Sequence, residues 1–176
     1  KMGYVDLLGN KVTAAAWDFV YPFNYGYAEV MLGKLKKVYD QGGEHWTIGS
    51  EGPVVHYLIN KKGERIQPYA VARHPKDYFY EGQYYPYPFV YTVEEQAILS
   101  RLQADSVGIS FLFDSSSYHS GYDTSVQMEI TERPNDYNPY YVVKVYNQQQ
   151  SIGFGDFIYV DALTLEPSVD QYTDAN

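Results

Sequence analysis

The 176-residue sequence contains no cysteine. Disulfide bonds, thiolate metal ligands and a cysteine nucleophile are therefore excluded. Apolar runs are short as well, and none approaches the roughly 18 residues that a helix needs to cross a bilayer. Because the sequence also lacks a basic start that leads into an apolar stretch, we expect neither a membrane span nor a signal peptide.

Basic side chains are few. The chain carries 13 Lys and Arg residues against 22 Asp and Glu residues, which gives a formal net charge of −9. Negative charge repels phosphate backbones and removes the attraction that drives most nucleic-acid binding, so we expect no nucleic-acid partner. The histidines, His45, His56, His74 and His119, show no metal-ligand spacing, and we therefore expect no metal site and no cofactor.

Tyrosine is present in excess, with 21 copies against 8 Phe and 2 Trp. Amphipathic rings in such number suit β-sheet faces that are half wet, or a surface that stacks and hydrogen-bonds. The densest stretch runs from Tyr78 to Tyr91 and is interrupted by Gly82, Pro86 and Pro88. Because two prolines are incompatible with a regular helix or a central strand, the stretch predicts a boundary between two parts of the chain.

The N-terminal part has the pattern of short strands. Two β-prone runs within Gly3–Val12 meet at Gly9, which predicts a hairpin. Alternating polarity over Tyr25–Leu32 predicts a further strand. Glycines and lysines dominate Gly33–Gly52, and we expect a loop there with one short strand near Trp46.

A second hairpin pattern begins at Tyr57 and ends at Ile66. Shifted along the chain, it matches the first hairpin at several positions within a short window, which indicates an internal repeat. The matched pairs are Val5 with Ile59, Asp6 with Asn60, Gly9 with Gly63, Lys11 with Arg65 and Val12 with Ile66.

The segment Phe23–Val30 has the form Phe-x-x-Gly-x-Ala-x-Val, and it follows the hairpin of Gly3–Val12. Together these segments resemble one repeat of the bacterial WG-repeat (KWG) proteins over Gly3–Leu32, and Val55–Pro68 resembles part of another. The sequence departs from the family at Ala14-Ala15, where paired prolines are usual, and by a long insertion between the two units. The resemblance implies an all-β repeat used as an interaction or envelope module, with no catalytic residues to carry over.

After the aromatic stretch the pattern changes to that of a helix. Thr92-Val93-Glu94-Glu95 has the form of a capping box, and the apolar spacing that follows predicts one amphipathic helix to about Ala104. Four strand patterns come next, at Val107–Asp114, Ser125–Glu132, Tyr140–Tyr146 and Phe154–Asp161. We therefore predict an α+β, β-rich fold in which an N-terminal β-hairpin repeat unit precedes a helix packed on a four-stranded antiparallel sheet.

A helix followed by four antiparallel strands resembles the cystatin-like architecture, including bacterial PepSY-like domains. The last strand ends in Val160-Asp161-Ala162-Leu163-Thr164-Leu165-Glu166, which is similar to the Val-Asp-x-x-Thr-Gly-Glu ending of those domains, with Leu165 in place of the glycine. The resemblance implies a domain that binds or inhibits rather than catalyses.

Candidate catalytic groups are sparse. Serines, His119 and Asp123 cluster within Asp114–Asp123, but a catalytic triad is assembled from distant segments and needs an oxyanion hole, and no Gly-x-Ser-x-Gly elbow is present. A polar hairpin loop explains the same residues. The scattered carboxylates of Asp18, Glu29, Glu51 and the Glu94-Glu95 pair offer acid–base groups, although a sequence does not show which of them face each other across a cleft.

From these patterns we predict a WG-repeat-like β part over residues 1–80, an aromatic connection over 81–91, a cystatin-like domain over 92–167 and an acidic tail over 168–176. We expect the aromatic connection either to close a seam between the two parts or to face a partner. The composition favours an exported bacterial protein over a cytoplasmic one.

The expected function is non-enzymatic binding of a protein or glycan partner through tyrosine-rich surfaces. Two alternatives stay open: a hydrolase acting on carbohydrate or peptide, and a structural spacer repeat of a longer envelope protein. The predicted binding residues are Tyr78, Tyr80, Tyr84, Tyr85, Tyr87, Tyr91, Tyr118, His119 and Tyr122.

Overall fold

The computed structural model describes residues 1–6, 8–104, 127–146, 150 and 157–169. The chain divides into unit 1, Lys1–Pro88, and unit 2, Phe89–Asn176. The elements are β1 (Phe19–Val20), β2 (Tyr27–Leu32), β3 (Leu35–Tyr39), β4 (Trp46–Ser50), β5 (Val55–Asn60), β6 (Tyr78–Tyr80), β7 (Gln83–Tyr85), α1 (Val93–Ala104), β8 (Gln127–Glu132), β9 (Tyr140–Tyr146), β10 (Phe157–Asp161) and β11 (Pro167–Val169).

Unit 1 is built on a three-stranded antiparallel sheet of order β1-β2-β5. The alternation predicted for β2 is present, because Ala28 and Val30 lie in one buried cluster with Trp17 and Ile59. Ala28 stands opposite Ile59 in the β2–β5 ladder. Burial of each branched side chain contributes roughly 1.5–3 kcal/mol, so this cluster holds the two strands together.

The segment Gly33–Gly52, predicted to be mainly a loop, is instead a β-hairpin. The expected strand near Trp46 is β4, but β3 was missed. Strand β3 is lysine-rich and mostly exposed, so it lacks the half-buried alternation that identifies a strand in sequence. The hairpin forms a separate two-stranded sheet, and Lys37 lies 4.3 Å from the centre of the Trp46 ring.

Backbone hydrogen bonds confirm the predicted internal repeat. In the first repeat, residues 1–32, the Gly9 amide donates to the Asp6 carbonyl at 3.0 Å; in the second repeat, residues 55–85, the Gly63 amide donates to the Asn60 carbonyl at 2.9 Å. Gly9 and Gly63 share a positive φ, 82° and 80°, which only glycine adopts without strain. Each hairpin also has one equivalent bridge, Val5 with Lys11 and Ile59 with Arg65.

The second repeat ends inside the aromatic stretch. Tyr25-Gly26, before β2, has φ values of 49° and 78°, and Glu81-Gly82, between β6 and β7, has φ values of 47° and 76°. Positive φ at both central residues is the type I′ turn that joins tight hairpins. The β6–β7 hairpin therefore takes the place in the second repeat that the turn at Gly26 takes in the first.

Unit 2 contains the one α-helix among the described residues, packed on a four-stranded antiparallel sheet of order β11-β10-β9-β8. The core is formed by Ile98, Leu102, Met128, Ile130, Val143, Val145, Ile158 and Val160. A helix on a four-stranded antiparallel sheet was predicted, and it is present.

The identity of one strand differs from the prediction. Strand β11 lies where we predicted the end of the domain and the acidic tail, whereas the predicted strand Val107–Asp114 lies outside the described residues. Pro167 pairs with Val160 at the edge of the sheet. An edge position tolerates proline because its missing N–H is not needed by a further strand.

The predicted capping box is confirmed. The Glu95 amide donates to Thr92 Oγ1 at 3.2 Å, and the Thr92 amide donates to Glu95 Oε2 at 2.8 Å. Two of the amides that a helix start leaves without intrahelical partners are satisfied in this way.

We expect Thr92→Ala to lower the free energy of unfolding of unit 2 by about 1 kcal/mol, because the cap acceptor for Glu95 is lost. Amide hydrogen exchange along α1 measures the loss. Thr92→Ser keeps the hydroxyl and is expected to match the parent; equal exchange in the serine and alanine variants would show that the cap does not contribute.

Candidate functional site

The predicted binding residues fall into three groups. Tyr78, Tyr80, Tyr84, Tyr85 and Tyr87 lie in unit 1, Tyr91 lies in unit 2, and Tyr118, His119 and Tyr122 lie outside the described residues. Within the first group, Tyr78 and Tyr85 are buried and the other three are partly exposed. These five rings are therefore not one open surface.

Tyrosines of both repeats stack on one another in unit 1. We call this set the tyrosine layer; it comprises Tyr25, Tyr27, Tyr78, Tyr80, Tyr85 and Tyr87. The Tyr78 ring is nearly parallel to three others, at 5.3 Å from Tyr25, 5.9 Å from Tyr27 and 6.0 Å from Tyr80. Each such contact adds roughly 0.5–1.5 kcal/mol beyond area burial, so the layer fastens the β6–β7 hairpin to β2.

Two buried hydroxyls of the layer donate to backbone carbonyls. Tyr25 Oη donates to the Lys76 carbonyl at 2.8 Å, and Tyr27 Oη donates to the Pro86 carbonyl. Burial raises the pKa of Tyr27, with smaller contributions from Tyr69 and Asp77. The hydroxyl therefore stays protonated, and the two bonds hold both ends of the segment that carries β6 and β7.

Asp77 organises the turn before β6. Its Oδ2 accepts the amides of Arg73 and His74, each at 2.8 Å, and its Oδ1 accepts the Tyr87 amide at 2.9 Å. Burial opposes the charge, but these amides and the Tyr69 hydroxyl together hold the pKa of Asp77 below its ordinary value. A buried carboxylate thus links the chain before the hairpin to the chain after it.

A polar cavity of about 170 Å³ opens beside the β6–β7 hairpin; we call it the Glu29 pocket. Among the residues that line it, Tyr80 Oη donates to Glu29 Oε2 at 2.7 Å, and Glu29 Oε1 lies 2.9 Å from His56 Nδ1. Glu81 Oε2 lies 3.8 Å from the same nitrogen. Arg65 and Gln83 add further polar groups to the lining.

The Glu29 carboxylate is less exposed than its partner His56. The Glu29 side chain is 18% exposed, against 43% for His56. An ionised carboxylate only accepts hydrogen bonds, so His56 Nδ1 carries the hydrogen in this contact. Burial, followed by the neighbouring Glu29, raises the pKa of Tyr80, which keeps its hydroxyl a donor to Glu29.

Sequence reasoning did not name Glu29 or His56 as binding residues. In the β2–β5 ladder, Met31 stands opposite His56 and Glu29 stands opposite Leu58, so Glu29 and His56 are diagonal neighbours on one face. The alternation of β2 shows that Glu29 shares a face with Tyr27. His56 reaches Glu29 only because β2 pairs with β5, and the β3–β4 hairpin separates these two strands in the sequence.

Tyr91 has a structural place in unit 2. Its hydroxyl donates to Glu129 Oε2 and accepts the Ile130 amide at 3.1 Å. Glu129 is fully buried, and its other oxygen accepts from Gln127 Nε2 at 2.5 Å. Tyr91 therefore satisfies a buried carboxylate of this unit.

Glu95 of unit 2 pairs with Arg133 in addition to its capping role. Arg133 Nε lies 2.5 Å from Glu95 Oε1, and hydrogen bonding to Arg133 holds the pKa of Glu95 below its usual value against the opposing effect of burial. Neither acid of the Glu94-Glu95 pair lines the Glu29 pocket.

Two kinds of feature are absent from the described part of the chain. No group of three or more His, Asp or Glu side chains in these residues is placed to hold a metal ion. The helix found in the same residues is not long and apolar enough to cross a membrane.

Comparison with known proteins identifies part of unit 1. Residues 2–35 match the family model described as "WG containing repeat". The match covers the first repeat, stops where β3 begins, and supports a WG-repeat protein. Neither the curated proteins nor the solved structures contain a match.

Proposed function

We propose that this chain, with its WG repeat at residues 2–35, is a binding module and that the Glu29 pocket holds one sugar residue of a glycan. The hydrogen-bonded chain from Tyr80 through Glu29 to His56, in a polar cavity of unit 1, is the observation that supports this proposal.

The size of the pocket favours one residue of a larger partner. Its volume of about 170 Å³ is below the roughly 300–1,000 Å³ of sites that enclose a whole small molecule. One sugar ring at the end of a glycan suits such a cavity. A single protruding side chain of a protein is the competing occupant.

The lining chemistry favours hydroxyl groups. Glu29 and Glu81 offer acceptors, Arg65 offers donors, and Gln83 offers both. Sugar hydroxyls both donate and accept, so they can satisfy a lining of this mixed kind. Glu29 is already held by Tyr80 and His56, and a group that is ordered before binding loses little entropy on binding.

Hydrolysis is the second candidate function, and the contact between His56 and Glu29 favours it. Two features of the lining speak for binding instead. Among the described residues, the lining contains no serine or threonine to act as a nucleophile beside His56. Moreover, Glu29 and Glu81 both approach the same nitrogen of His56, whereas a glycosidase pair stands on either side of the bond that is cleaved.

We expect Glu29→Gln to weaken glycan binding about tenfold or more, because hydrogen bonds to a charged group contribute roughly 1.5–3 kcal/mol. Binding of the parent on a glycan array identifies the ligand, and calorimetric titration of that ligand into the variant measures the loss. Glu51→Gln is the matched control, since it makes the same charge change at an exposed residue outside the pocket.

Equal loss in the two variants would assign the effect to net charge and would overturn the proposed site. Release of reducing ends from a bound glycan by the parent, abolished in Glu29→Gln, would establish the hydrolase in place of the binding module. An array without any bound glycan would overturn the glycan proposal.

For the rest of the chain we propose two further properties from the sequence. A cystatin-like fold for unit 2 is supported by a helix packed on an antiparallel four-stranded sheet, and an experimental structure of residues 89–176 tests it. Export is supported by the absence of cysteine and the net acidity, and fractionation of cells that make the native protein tests it.

A further inference from the structure

Residues 1–6 of the first repeat are equivalent to β5 of the second. Residues 1–6 use Tyr4 and Asp6 on the side that faces their own hairpin. The Tyr4 carbonyl accepts the Val12 amide, and the Asp6 amide donates to the Asn10 carbonyl, each at 2.9 Å. In the second repeat, Leu58 and Asn60 make the same two bonds, to Ile66 and Glu64, each at 3.0 Å.

The opposite edge of β5 is occupied by β2. Ile59 pairs there with Ala28, and Tyr57 pairs with Val30. Successive residues of an antiparallel strand direct their N–H and C=O groups to alternate sides, so the equivalent groups in the first repeat belong to Gly3 and Val5. Within the described residues, these backbone groups have no hydrogen-bond partner.

The side chains of the two repeats also differ in exposure at this edge. Ile59 is fully buried, whereas its equivalent Val5 is 63% exposed. Ile59 is covered by Ala28, Val30 and Trp17 of the first repeat, and the described residues provide no such cover for Val5. Val5 therefore combines an exposed apolar side chain with an unpaired backbone edge.

We propose that residues 1–6 form a docking edge for an antiparallel strand of the β2 pattern, supplied by another repeat of this kind. The second repeat provides the register: the residue equivalent to Ala28 lies opposite Val5, and the residue equivalent to Val30 lies opposite Gly3. The occupant is not β2 of the same chain, because β2 is already paired on both sides, with β1 and β5. Exposed edges of this kind accept added strands through main-chain hydrogen bonds.

The test uses the full chain and a synthetic peptide with the sequence of residues 19–32, extended by lysines for solubility. We expect saturable binding, with amide hydrogen exchange at Gly3 and Val5 slowed at least tenfold. A scrambled peptide of the same composition controls for non-specific association.

Two variants at one position separate backbone pairing from side-chain contact. Val5→Pro removes the Val5 N–H, which faces the unpaired edge, and leaves the N–H and C=O groups of Tyr4 and Asp6 that bond within the hairpin. We expect this variant to bind the peptide at least tenfold more weakly. Val5→Thr keeps the N–H and the branched shape and is expected to bind within about threefold of the parent. If Val5→Pro does not fold, as judged by tryptophan fluorescence, Val5→Asp replaces it, since a carboxylate at this position opposes burial against an apolar strand.

Several results would overturn the proposal. These are absence of peptide binding, equal binding by parent and Val5→Pro, and slowed exchange confined to residues other than 1–12. Concentration-dependent dimerisation of the parent that is abolished by Val5→Pro and unaffected by the peptide would show that the edge pairs with a second copy of itself, and would overturn a β2-type occupant.

Discussion

Replacing Tyr25 with alanine is expected to lower the free energy of unfolding of unit 1 by about 3–5 kcal/mol, the range observed for large aromatic residues in cores. Tyr25 is fully buried. Its ring contacts those of Tyr78 and Tyr87 at 5.3 Å and 6.4 Å, and its hydroxyl bonds to the Lys76 carbonyl. Tyrosine and alanine are both strained at a φ of 49°, so backbone strain contributes little to the difference in stability between the parent and Tyr25→Ala.

The chain itself provides the reporter for this measurement. Its two tryptophans, Trp17 and Trp46, both lie in unit 1, so indole emission during urea unfolding follows that unit alone. Tyr25→Phe keeps the ring and removes only the hydroxyl, and we expect it to cost about 1 kcal/mol. If alanine destabilises unit 1 no more than phenylalanine does, the tyrosine layer does not stabilise the unit.

Asp77→Ala is expected to lower the free energy of unfolding of unit 1 by about 3 kcal/mol. The substitution removes a buried acceptor, and each buried donor that is left without a partner costs roughly 1–3 kcal/mol. The amides of Arg73, His74 and Tyr87 all lose their acceptor. The same tryptophan-detected unfolding measures the effect. Asp40→Ala removes an exposed carboxylate of unit 1 and serves as the control.

The contribution of Asp77 to the free energy of unfolding of unit 1 is expected to depend on pH. The pKa of Asp77 is lower in the folded state than its ordinary value. The stabilisation is therefore complete above the unfolded-state pKa, about 3.9, and is lost as the pH falls from there through the folded-state pKa. The difference in stability between the parent and Asp77→Asn should narrow over that acidic range; a constant difference would show that the charge of Asp77 is not involved.

Local features of the fold could be predicted from the sequence. The capping box at Thr92 and Glu95 and the glycine turns at Gly9 and Gly63 depend on residues a few positions apart, where one side chain or one φ angle decides the geometry. The repeat was also recognisable because hairpin residues recur at equivalent positions.

Long-range features could not be predicted in the same way. The contact between Glu29 and His56 depends on the register of two strands that are separated by the β3–β4 hairpin, and no local pattern specifies that register. The tyrosine stretch was recognised, but not its packing partners. Whether Tyr78 and Tyr85 are buried depends on Tyr25 and Tyr27 of the other repeat, and amphipathic rings suit buried and exposed positions equally well.

The β3–β4 hairpin is an insertion between β2 and β5 that can be exchanged without separating those two strands. The ladder of β2 and β5 closes at Leu32 and Val55, and a Cβ added to Gly33 would lie 3.1 Å from the Pro53 carbonyl oxygen, so the two ends of the insertion already meet. A loop whose ends meet can be lengthened or shortened at little entropic cost. The β3–β4 hairpin can therefore be replaced by another segment, such as an affinity tag or a dye-binding sequence. Its removal also removes Trp46, so the buried Trp17 becomes the only tryptophan. The fluorescence of Trp17 then reports on the core of unit 1 directly.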